Sequence, residues 1–192
     1  MPTSAVHVCD AMGKARKPRI IVRDANMKDL HDLLSNYVLV QKEIKENTFI
    51  GIPLSEKKPT LKSERKWLTK LIGDVKKGKA VASVAVVDGK VVGMCDVTPS
   101  GSSPEARHMA NLGILVRKGY RSMGIGSLLI ESSLKKAKKK YRVVKLDVFG
   151  FNKGAQRLYK RFGFKTYGVL PEAFIRAKTL KIDKVMMYLK FK

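Results

Sequence analysis

Apolar residues recur with two different periods along this chain, and the change of period separates predicted helices from predicted strands. In the first part of the chain apolar positions fall three or four residues apart, which is typical of helices with one buried face. We predict helices over residues 27–45 and 61–76. The predicted buried positions are Leu30, Leu33, Leu34, Tyr37 and Val38 on the first helix, and Trp67, Leu68, Leu71 and Ile72 on the second.

From residue 80 onward, β-branched residues form short runs that predict strands. Runs over 80–87 and 90–97 flank Asp88-Gly89, a strong hairpin signal. Further strands are predicted over 20–23, 109–116, 142–149, 164–169 and 184–191, and further helices over 125–140 and 153–162, the last closed by Gly163. This order predicts an α+β fold, a mixed sheet flanked by helices.

Length and composition favour one globular domain. The chain has 192 residues, 44% of them hydrophobic, which suffices for a substantial core. We predict that residues 1–18, which lack periodicity, form a flexible basic extension and that residues 19–192 form the domain. No apolar run reaches the roughly 18 residues of a membrane span, and no secretory pattern is present. Cys9 and Cys95 are too few for a disulfide framework, so we expect a cytoplasmic protein.

The formal net charge of +24 favours a polyanionic ligand or partner. Five lysines fall between Lys135 and Lys140, interrupted only by Ala137. The run fits a solvated helix end or a lysine-rich surface of the thermophile type. Nucleic acid is a possible partner but is not favoured, because no stacking aromatic residues are interleaved with the lysines.

A glycine-rich turn, Arg121-Ser-Met-Gly-Ile-Gly-Ser127, joins the predicted strand 109–116 to the next helix. Backbone N–H groups at the start of a helix bind phosphate, and Gly124 and Gly126 would let a diphosphate approach the main chain. A dinucleotide fingerprint requires a third glycine where Leu129 stands, and no Gly-Lys-Ser/Thr tripeptide occurs. The alternative is a tight turn without a ligand.

The R-x-x-G-x-G turn resembles the coenzyme A loop of the GNAT acetyltransferase family. The segment from Asn152 to Phe164 also resembles that family's N-x-x-A-x-x-L-Y-x-x-x-G-F pattern. The resemblance covers residues 79–192 by motif and 19–78 by element order. The chain is somewhat like the ribosomal-protein-type and small-amine branches of the family. The resemblance implies three layers, with about seven mostly antiparallel strands and about four helices.

The resemblance implies a role for each matching position. Main-chain groups of the fourth strand would bind the pantetheine arm, the glycine turn would bind the pyrophosphate, and Asn152 would contact the cofactor near its thioester. Tyr159 would protonate the departing thiolate, and Asp147, where many members have glutamate, would be the base. The implied cofactor-binding set is Ile114, Leu115, Val116, Arg121, Ser122, Met123, Gly124, Ile125, Gly126, Ser127, Asn152 and Tyr159.

Alternatives remain for several of these positions. Asn152 fits a helix N-cap, Tyr159 fits a rim aromatic, and Asp147 fits an aspartate paired with Lys145 or an arginine. Burial would make Asp147 a stronger base. Asp96, His108 and Glu172 are competing bases. We expect direct transfer rather than an acyl-cysteine at Cys95, because no sequence signal marks an activating base.

The sequence therefore predicts an N-acetyltransferase that moves an acetyl group from acetyl-CoA to an amine, with no metal. The acceptor is a protein N-terminus, a lysine or a small amine, bound by residues 27–77 and 170–183. Net charge favours neutral or acidic acceptors unless Glu172, Asp183 or Asp147 lines the pocket. Two alternatives are a coenzyme A-binding regulator without turnover and a basic, nucleic-acid- or ribosome-associated protein acetyltransferase. The protein is predicted to be a monomer or a homodimer.

Overall fold

A seven-stranded sheet organises the protein in a computed structural model, which describes residues 8–9, 15–16, 18–53, 55 and 57–192. Its strands are β1 (Ile20–Asp24), β2 (Val81–Val87), β3 (Lys90–Pro99), β4 (Met109–Val116), β5 (Val143–Phe149), β6 (Lys165–Arg176) and β7 (Leu180–Lys190). They lie in the order β1-β2-β3-β4-β5-β7-β6. Only β4 and β5 pair in parallel. The predicted mixed, mostly antiparallel sheet is confirmed.

Four α-helices cover the two faces of this sheet: α1 (Leu30–Glu46), α2 (Leu61–Lys76), α3 (Ile125–Ala137) and α4 (Lys153–Arg161). Alternate residues of β2 point to opposite faces. Val81 and Ala85 belong to the core under α3 and α4, whereas Ala82 and Val84 belong to the core under α1 and α2. The central strands are therefore buried on both sides, and the predicted three-layer arrangement is confirmed.

Local sequence signals account for several element ends. Thr60 caps α2 by accepting a hydrogen bond from the Ser63 N–H, and Ser63 Oγ accepts one from the Thr60 N–H. Asp88 and Gly89 have φ values of +49° and +76°, as the predicted two-residue hairpin turn requires. Gly163 follows α4 with a φ of +87°, in the left-handed conformation expected beyond a helix end.

Two predicted core residues are exposed instead. The buried stripe of α1 is formed by Leu30, Leu33, Val40 and Ile44, so Val38 lies on the opposite side and is 38% exposed. Trp67 is 42% exposed because it lies one position before the buried Leu68 and faces a cleft instead of the sheet.

The last two strands are longer than predicted. Residues 164–169 and 184–191 were expected as strands with a connection between them, but β6 and β7 form one long hairpin that turns at Ala177 and Lys178. Irregular pairing between Leu170 and Phe174, with a φ of +49° at Glu172, interrupts the alternating pattern. Separately, the predicted helix 125–140 ends at Ala137.

Little of the predicted N-terminal extension lies in the described part of the chain. Val8–Cys9 pairs antiparallel with Ala15–Arg16, and most other residues of the segment 1–18 lie outside the described residues. Its flexibility and the single-domain assignment of 19–192 stay predictions. In the ranges that the structure describes, none of the helices has the length and apolar character needed to span a membrane.

Candidate active site

A cleft opens where the parallel strands β4 and β5 separate. Their pairing covers only three positions, from Met109 with Val143 to Asn111 with Lys145. On its other edge β4 is paired with β3 along its length. The edge that faces β5 therefore has no strand partner over residues 112–116, and of its main-chain groups the Val116 carbonyl accepts a hydrogen bond from Arg121 Nε. These residues line a cleft of about 1490 Å³, together with the start of α3, one face of α4, parts of α1 and α2, and the loop between those two helices.

The glycine turn lies at one end of this cleft and leads into α3. Gly124 is the N-cap of α3, with a φ of +79° and no side-chain cap, and the first intrahelical bond runs from the Leu128 N–H to its carbonyl. The N–H groups of residues 125–127 are therefore the orphan donors of a helix start. A Cβ atom added at Gly124 would meet nothing within 4 Å. The turn thus presents accessible main-chain donors suited to an anion.

The residues of the turn differ in what they contribute. Ser122, Gly124, Gly126 and Ser127 line the cleft, and Ser122 is in the left-handed region with a φ of +64°. A Cβ at Gly126 would come within 3.2 Å of Leu158 Cδ2, so this glycine also allows α3 and α4 to pack closely. The side chains of Met123 and Ile125 pack into the core under α3. Those two residues offer only their main-chain groups to a ligand.

Arg121 is held by protein groups, although it also lines the cleft. Its guanidinium donates two hydrogen bonds to the Glu43 carboxylate, at 2.7 and 2.8 Å, and its Nε donates to the Val116 carbonyl at 2.9 Å. Glu43 is 7% exposed in its side chain. Because that carboxylate neutralises the guanidinium, Arg121 connects α1 to the turn instead of offering a free charge.

A second arginine, which no sequence motif marks, lies at the mouth of the cleft. Arg161, at the end of α4, donates from Nη2 to Ser127 Oγ at 3.0 Å and lines the cleft beside the first turn of α3. A cation at this position would reinforce the attraction of the helix start for a diphosphate.

Asn152 is the N-cap of α4, since its Oδ1 accepts a hydrogen bond from the Ala155 N–H at 3.1 Å. The side chain also lies against the loop between α1 and α2. A Cβ added at Gly51 would be 2.1 Å from Asn152 Nδ2, so any side chain at position 51 would have to displace the Asn152 amide. Asn152 lines the cleft as well, and both the capping and the cleft-facing interpretations of its position therefore apply.

Tyr159 lies on the cleft side of α4 and is 7% exposed. Its ring packs on Phe164 with a centroid distance of 5.9 Å. Burial raises the pKa of the Tyr159 hydroxyl above its ordinary value. The group is therefore protonated at neutral pH, as a proton donor must be.

Asp147 is not the desolvated carboxylate that its proposed role assumed. Its side chain is 54% exposed and lies 3.3 Å from Lys184 Nζ, so the expected burial is wrong and the pairing partner is neither Lys145 nor an arginine. Lys184 is the residue paired with Phe149 across β5 and β7, which places its side chain near this carboxylate. Asp147 still lines the cleft.

Asp96 is a half-buried carboxylate that lines the cleft. It lies on β3 opposite Gly113 of β4, where an added Cβ would be 3.1 Å from Asp96 Oδ1. Burial raises the pKa of the Asp96 carboxyl to about 6. The other two competing bases are exposed and outside the cleft lining: His108 contacts the Glu105 carbonyl, and Glu172 pairs with Lys181.

Cys95 is fully buried under α3, and burial raises the pKa of its thiol to about 12. Because the thiolate is the nucleophilic form, this cysteine is inert at neutral pH. Its environment agrees with the expectation of direct transfer.

Helices α1 and α2 and the loop between them also line the cleft, and the acceptor site expected in these segments stays a prediction. The β6–β7 hairpin contributes indirectly. Arg176 is 8% exposed and donates to the carbonyls of Ile50 at 2.9 Å and Ile52 at 2.8 Å, and also to that of Thr48. Its guanidinium lies 5.2 Å from the centre of the Phe149 ring. Sequence reasoning did not identify this residue, which fixes the loop that carries Gly51.

Comparison with known proteins agrees with this geometry. The Acetyltransferase (GNAT) family matches residues 44–164, which is more than half of the chain. An uncharacterized N-acetyltransferase of Methanocaldococcus jannaschii is 32% identical over 148 residues, 75% of this chain and 60% of the relative. An N-alpha-acetyltransferase of Sulfurisphaera tokodaii is 37% identical over 111 residues, 50% of this chain and 63% of the relative. The chain belongs to the GNAT family of N-acetyltransferases, and it spans about three fifths of the length of these relatives.

Solved structures share the fold. A ribosomal-protein-alanine N-acetyltransferase from Brucella melitensis superposes with a TM-score of 0.76 at 24% identity, covering 89% of this chain and 99% of that one. A phosphinothricin acetyltransferase from Sinorhizobium meliloti, solved in complex with acetyl-CoA, gives a TM-score of 0.76 at 18% identity, covering 89% of this chain and 88% of that one. Both structures are under 25% identical to this chain and show that it has their fold.

Proposed function

We propose that the protein transfers an acetyl group directly from acetyl-CoA to an amine. One observation carries the proposal: the unpaired edge of β4 leads into the uncapped start of α3, and the Tyr159 side chain lies in the same cleft. An edge of free main-chain groups can bind an amide-containing arm as an added strand would. The helix start can bind the diphosphate at the end of that arm.

The donor supplies a thioester, and residues of the chain provide the remaining chemistry. Main-chain groups of residues 112–116 hold the arm, and the N–H groups of residues 125–127, assisted by Arg161, hold the diphosphate. Asn152 lies between them, at the entry to α4. In this account Arg121 does not contact a phosphate. Its ion pair with Glu43 holds the turn in the conformation that binds the diphosphate.

Proton transfer is assigned to two residues, a base that acts on the acceptor amine and an acid that acts on the departing thiolate. The acceptor amine loses a proton and forms the new C–N bond, with Asp96 as the base, directly or through a water. The C–S bond breaks, and Tyr159 gives its proton to the departing thiolate. Asp96 replaces Asp147 as the favoured base, because a carboxyl with a pKa of about 6 is largely ionised at neutral pH and is a stronger base than an exposed one.

For the acceptor we propose an α-amine, either of a protein N-terminus or of an amino acid. The name of the Sulfurisphaera relative, an N-alpha-acetyltransferase, supports this assignment. Net charge favours neutral or acidic acceptors unless a carboxylate lines the pocket. Three carboxylates, Asp96, Asp147 and Glu64, line the cleft together with Lys57, Lys58, Arg121 and Arg161. A cationic amine therefore has carboxylates to meet it within the cleft.

Incubation with acetyl-CoA and a panel of amino acids, N-terminal peptides and lysine-blocked peptides tests the proposal, with release of free thiol as the signal. We expect thiol release that depends on an α-amine, with no acetylated enzyme in rapid-quench samples. A coenzyme A-binding regulator would bind the donor and release no thiol with any acceptor.

A further inference from the structure

The lysine run at the end of α3 belongs to a larger basic surface at the end of the protein opposite the cleft. Helices α2 and α3 both begin at the cleft, where Thr60 and Trp67 of α2 and the glycine turn before α3 are lining residues. Their C-terminal ends are tied together. The Tyr141 hydroxyl donates to the Lys79 carbonyl, and Lys140 Nζ donates to the Gly78 carbonyl at 3.0 Å.

This juxtaposition concentrates exposed cations. We call the surface the basic pole; its exposed cationic residues are Lys76, Lys77, Lys79, Lys135, Lys138, Lys139, Lys140, Arg142, Lys190 and Lys192. The last two join the others because Val143 pairs with Lys190 and the Phe191 N–H donates to the Arg142 carbonyl. Residues 75–79 and 132–146 contain neither aspartate nor glutamate.

Local electrostatics does not account for this concentration. Within the described ranges, none of the residues of the basic pole has a carboxylate within ion-pair distance. The nearby Asp74 is paired with Lys70 at 2.9 Å and also attracts Lys77 and Lys79 from beyond that distance. Glu105, in the loop before β4, is an acid at the same end. Lysines at a helix end do interact favourably with its dipole, but the effect decays within the last turn. Mutual repulsion of the remaining charges is relieved by a bound polyanion.

The side chains of the basic pole favour a phosphate backbone over exposed bases. Tyr141, the aromatic residue between the two helix ends, is 6% exposed and its hydroxyl is already bonded. Binding of single strands relies on aromatic side chains that stack on bases, whereas duplexes can be held through phosphates alone. We propose that the basic pole docks the phosphate backbone of duplex nucleic acid and leaves the cleft open to acceptors.

The proposal predicts salt-dependent binding that maps to this surface. The test compares a short DNA duplex and an RNA duplex of the same sequence, with the full chain, over a range of salt concentrations. In the variant Lys77→Gln/Lys138→Gln/Lys139→Gln we expect binding at low salt to fall by about tenfold or more. The slope of log affinity against log salt should decrease by about 2 to 3, since each lysine lost removes one phosphate contact.

A matched control variant loses the same charge elsewhere. Lys45, Lys118 and Lys178 are exposed and lie on elements that end at the cleft side, so Lys45→Gln/Lys118→Gln/Lys178→Gln should bind nearly as the parent does. Equal losses in the two variants would overturn the proposal, because net charge alone would explain them. Absence of binding to both duplexes at low salt, or tighter binding to polyglutamate, would also overturn it. Tighter binding to one of the two duplexes would show whether the basic pole docks DNA or RNA. Thiol release with an amine acceptor should be the same in the pole variant, so this test is independent of the proposed activity.

Discussion

Glu43 and Arg121 form a bidentate ion pair that joins α1 to the turn before α3. Arg121 Nη1 and Nη2 lie 2.7 and 2.8 Å from the two carboxylate oxygens of Glu43, and the Glu43 side chain is 7% exposed. The pair links the helix that lines the acceptor half of the cleft to the turn proposed to bind the diphosphate. We therefore propose that Arg121, which the family motif assigns to the cofactor, affects cofactor binding through the geometry of the turn.

Replacing Glu43 with Gln should destabilise the protein and weaken donor binding together. Removing one partner of a buried pair leaves the other charge uncompensated, and because Arg121 is partly exposed we expect a loss of about 2 kcal/mol in the free energy of unfolding. Urea unfolding and calorimetric titration with acetyl-CoA measure the two effects. Glu46→Gln, on the same helix with a 58% exposed side chain, should change either value little. If Glu43→Gln and Glu46→Gln behave alike, the pair has no positioning role.

Activity should rise with pH through the pKa of Asp96. A carboxylate base works only when deprotonated, so kcat/KM at a fixed concentration of free amine should increase towards a plateau above about pH 6. Asp96→Asn should abolish this rise of kcat/KM with pH and remove most of the activity. Asp147→Asn should retain both the rise and the activity. The reverse result would restore Asp147 as the base.

The raised pKa of Asp96 also has a consequence for stability. Its pKa is about 6 in the native protein and about 3.9 in an unfolded chain, so between these values the native state binds more protons. The contribution of Asp96 to stability is therefore lost as pH rises from about 4 to about 6. Asp96→Asn should be more stable than the parent at pH 7 but not at pH 4, as measured by thermal unfolding at both pH values. If the variant and the parent differ in thermal stability by the same amount at both pH values, burial does not shift the pKa of Asp96.

Tyr159→Phe should slow the chemical step and leave donor affinity nearly unchanged. The hydroxyl is held protonated by burial, and loss of a positioned acid typically costs about 10²- to 10⁴-fold in rate. Single-turnover kinetics and calorimetric titration separate rate from binding. Tyr167→Phe removes a hydroxyl from a 53% exposed tyrosine and serves as the control. Full activity in Tyr159→Phe would exclude the tyrosine from the mechanism.

Gly51→Ala should displace the Asn152 side chain. It should not strain the backbone of the loop between α1 and α2. The added methyl carbon would lie 2.1 Å from Asn152 Nδ2, which is far below a van der Waals contact. Loss of the Asn152 cap should cost about 1 kcal/mol of stability, and kcat/KM should fall because this side chain lines the cleft. Gly101→Ala, where the methyl meets nothing within 4 Å, is the matched control. Wild-type activity in Gly51→Ala would show that the Asn152 position is unimportant.

Features carried by short stretches of sequence could be predicted. The hairpin at Asp88-Gly89, the helix start at Gly124 and the Asn152–Tyr159 spacing depend on residues within one or two turns of each other, so local periodicity and backbone preference suffice. The edge strand β6 was predicted too short because its irregular pairing near Glu172 breaks the alternation.

Features that depend on distant partners could not be predicted in the same way. Glu43 meets Arg121 across 78 positions, and Arg176 meets Ile50 across 126. The different surroundings of Asp96 and Asp147 have the same origin. Both are strand residues in similar local patterns, and only the packing of β3 against β4 buries the first while Lys184 pairs with the second.

A crystal structure of the protein with acetyl-CoA is the most direct measurement of the central claim. We expect the pantetheine arm to form main-chain hydrogen bonds with the β4 edge between residues 112 and 116. The diphosphate should lie within hydrogen-bond distance of the N–H groups of residues 125–127 and close to Arg161. A donor bound elsewhere, or a diphosphate contacted by Arg121 with the Glu43 pair broken, would contradict the account.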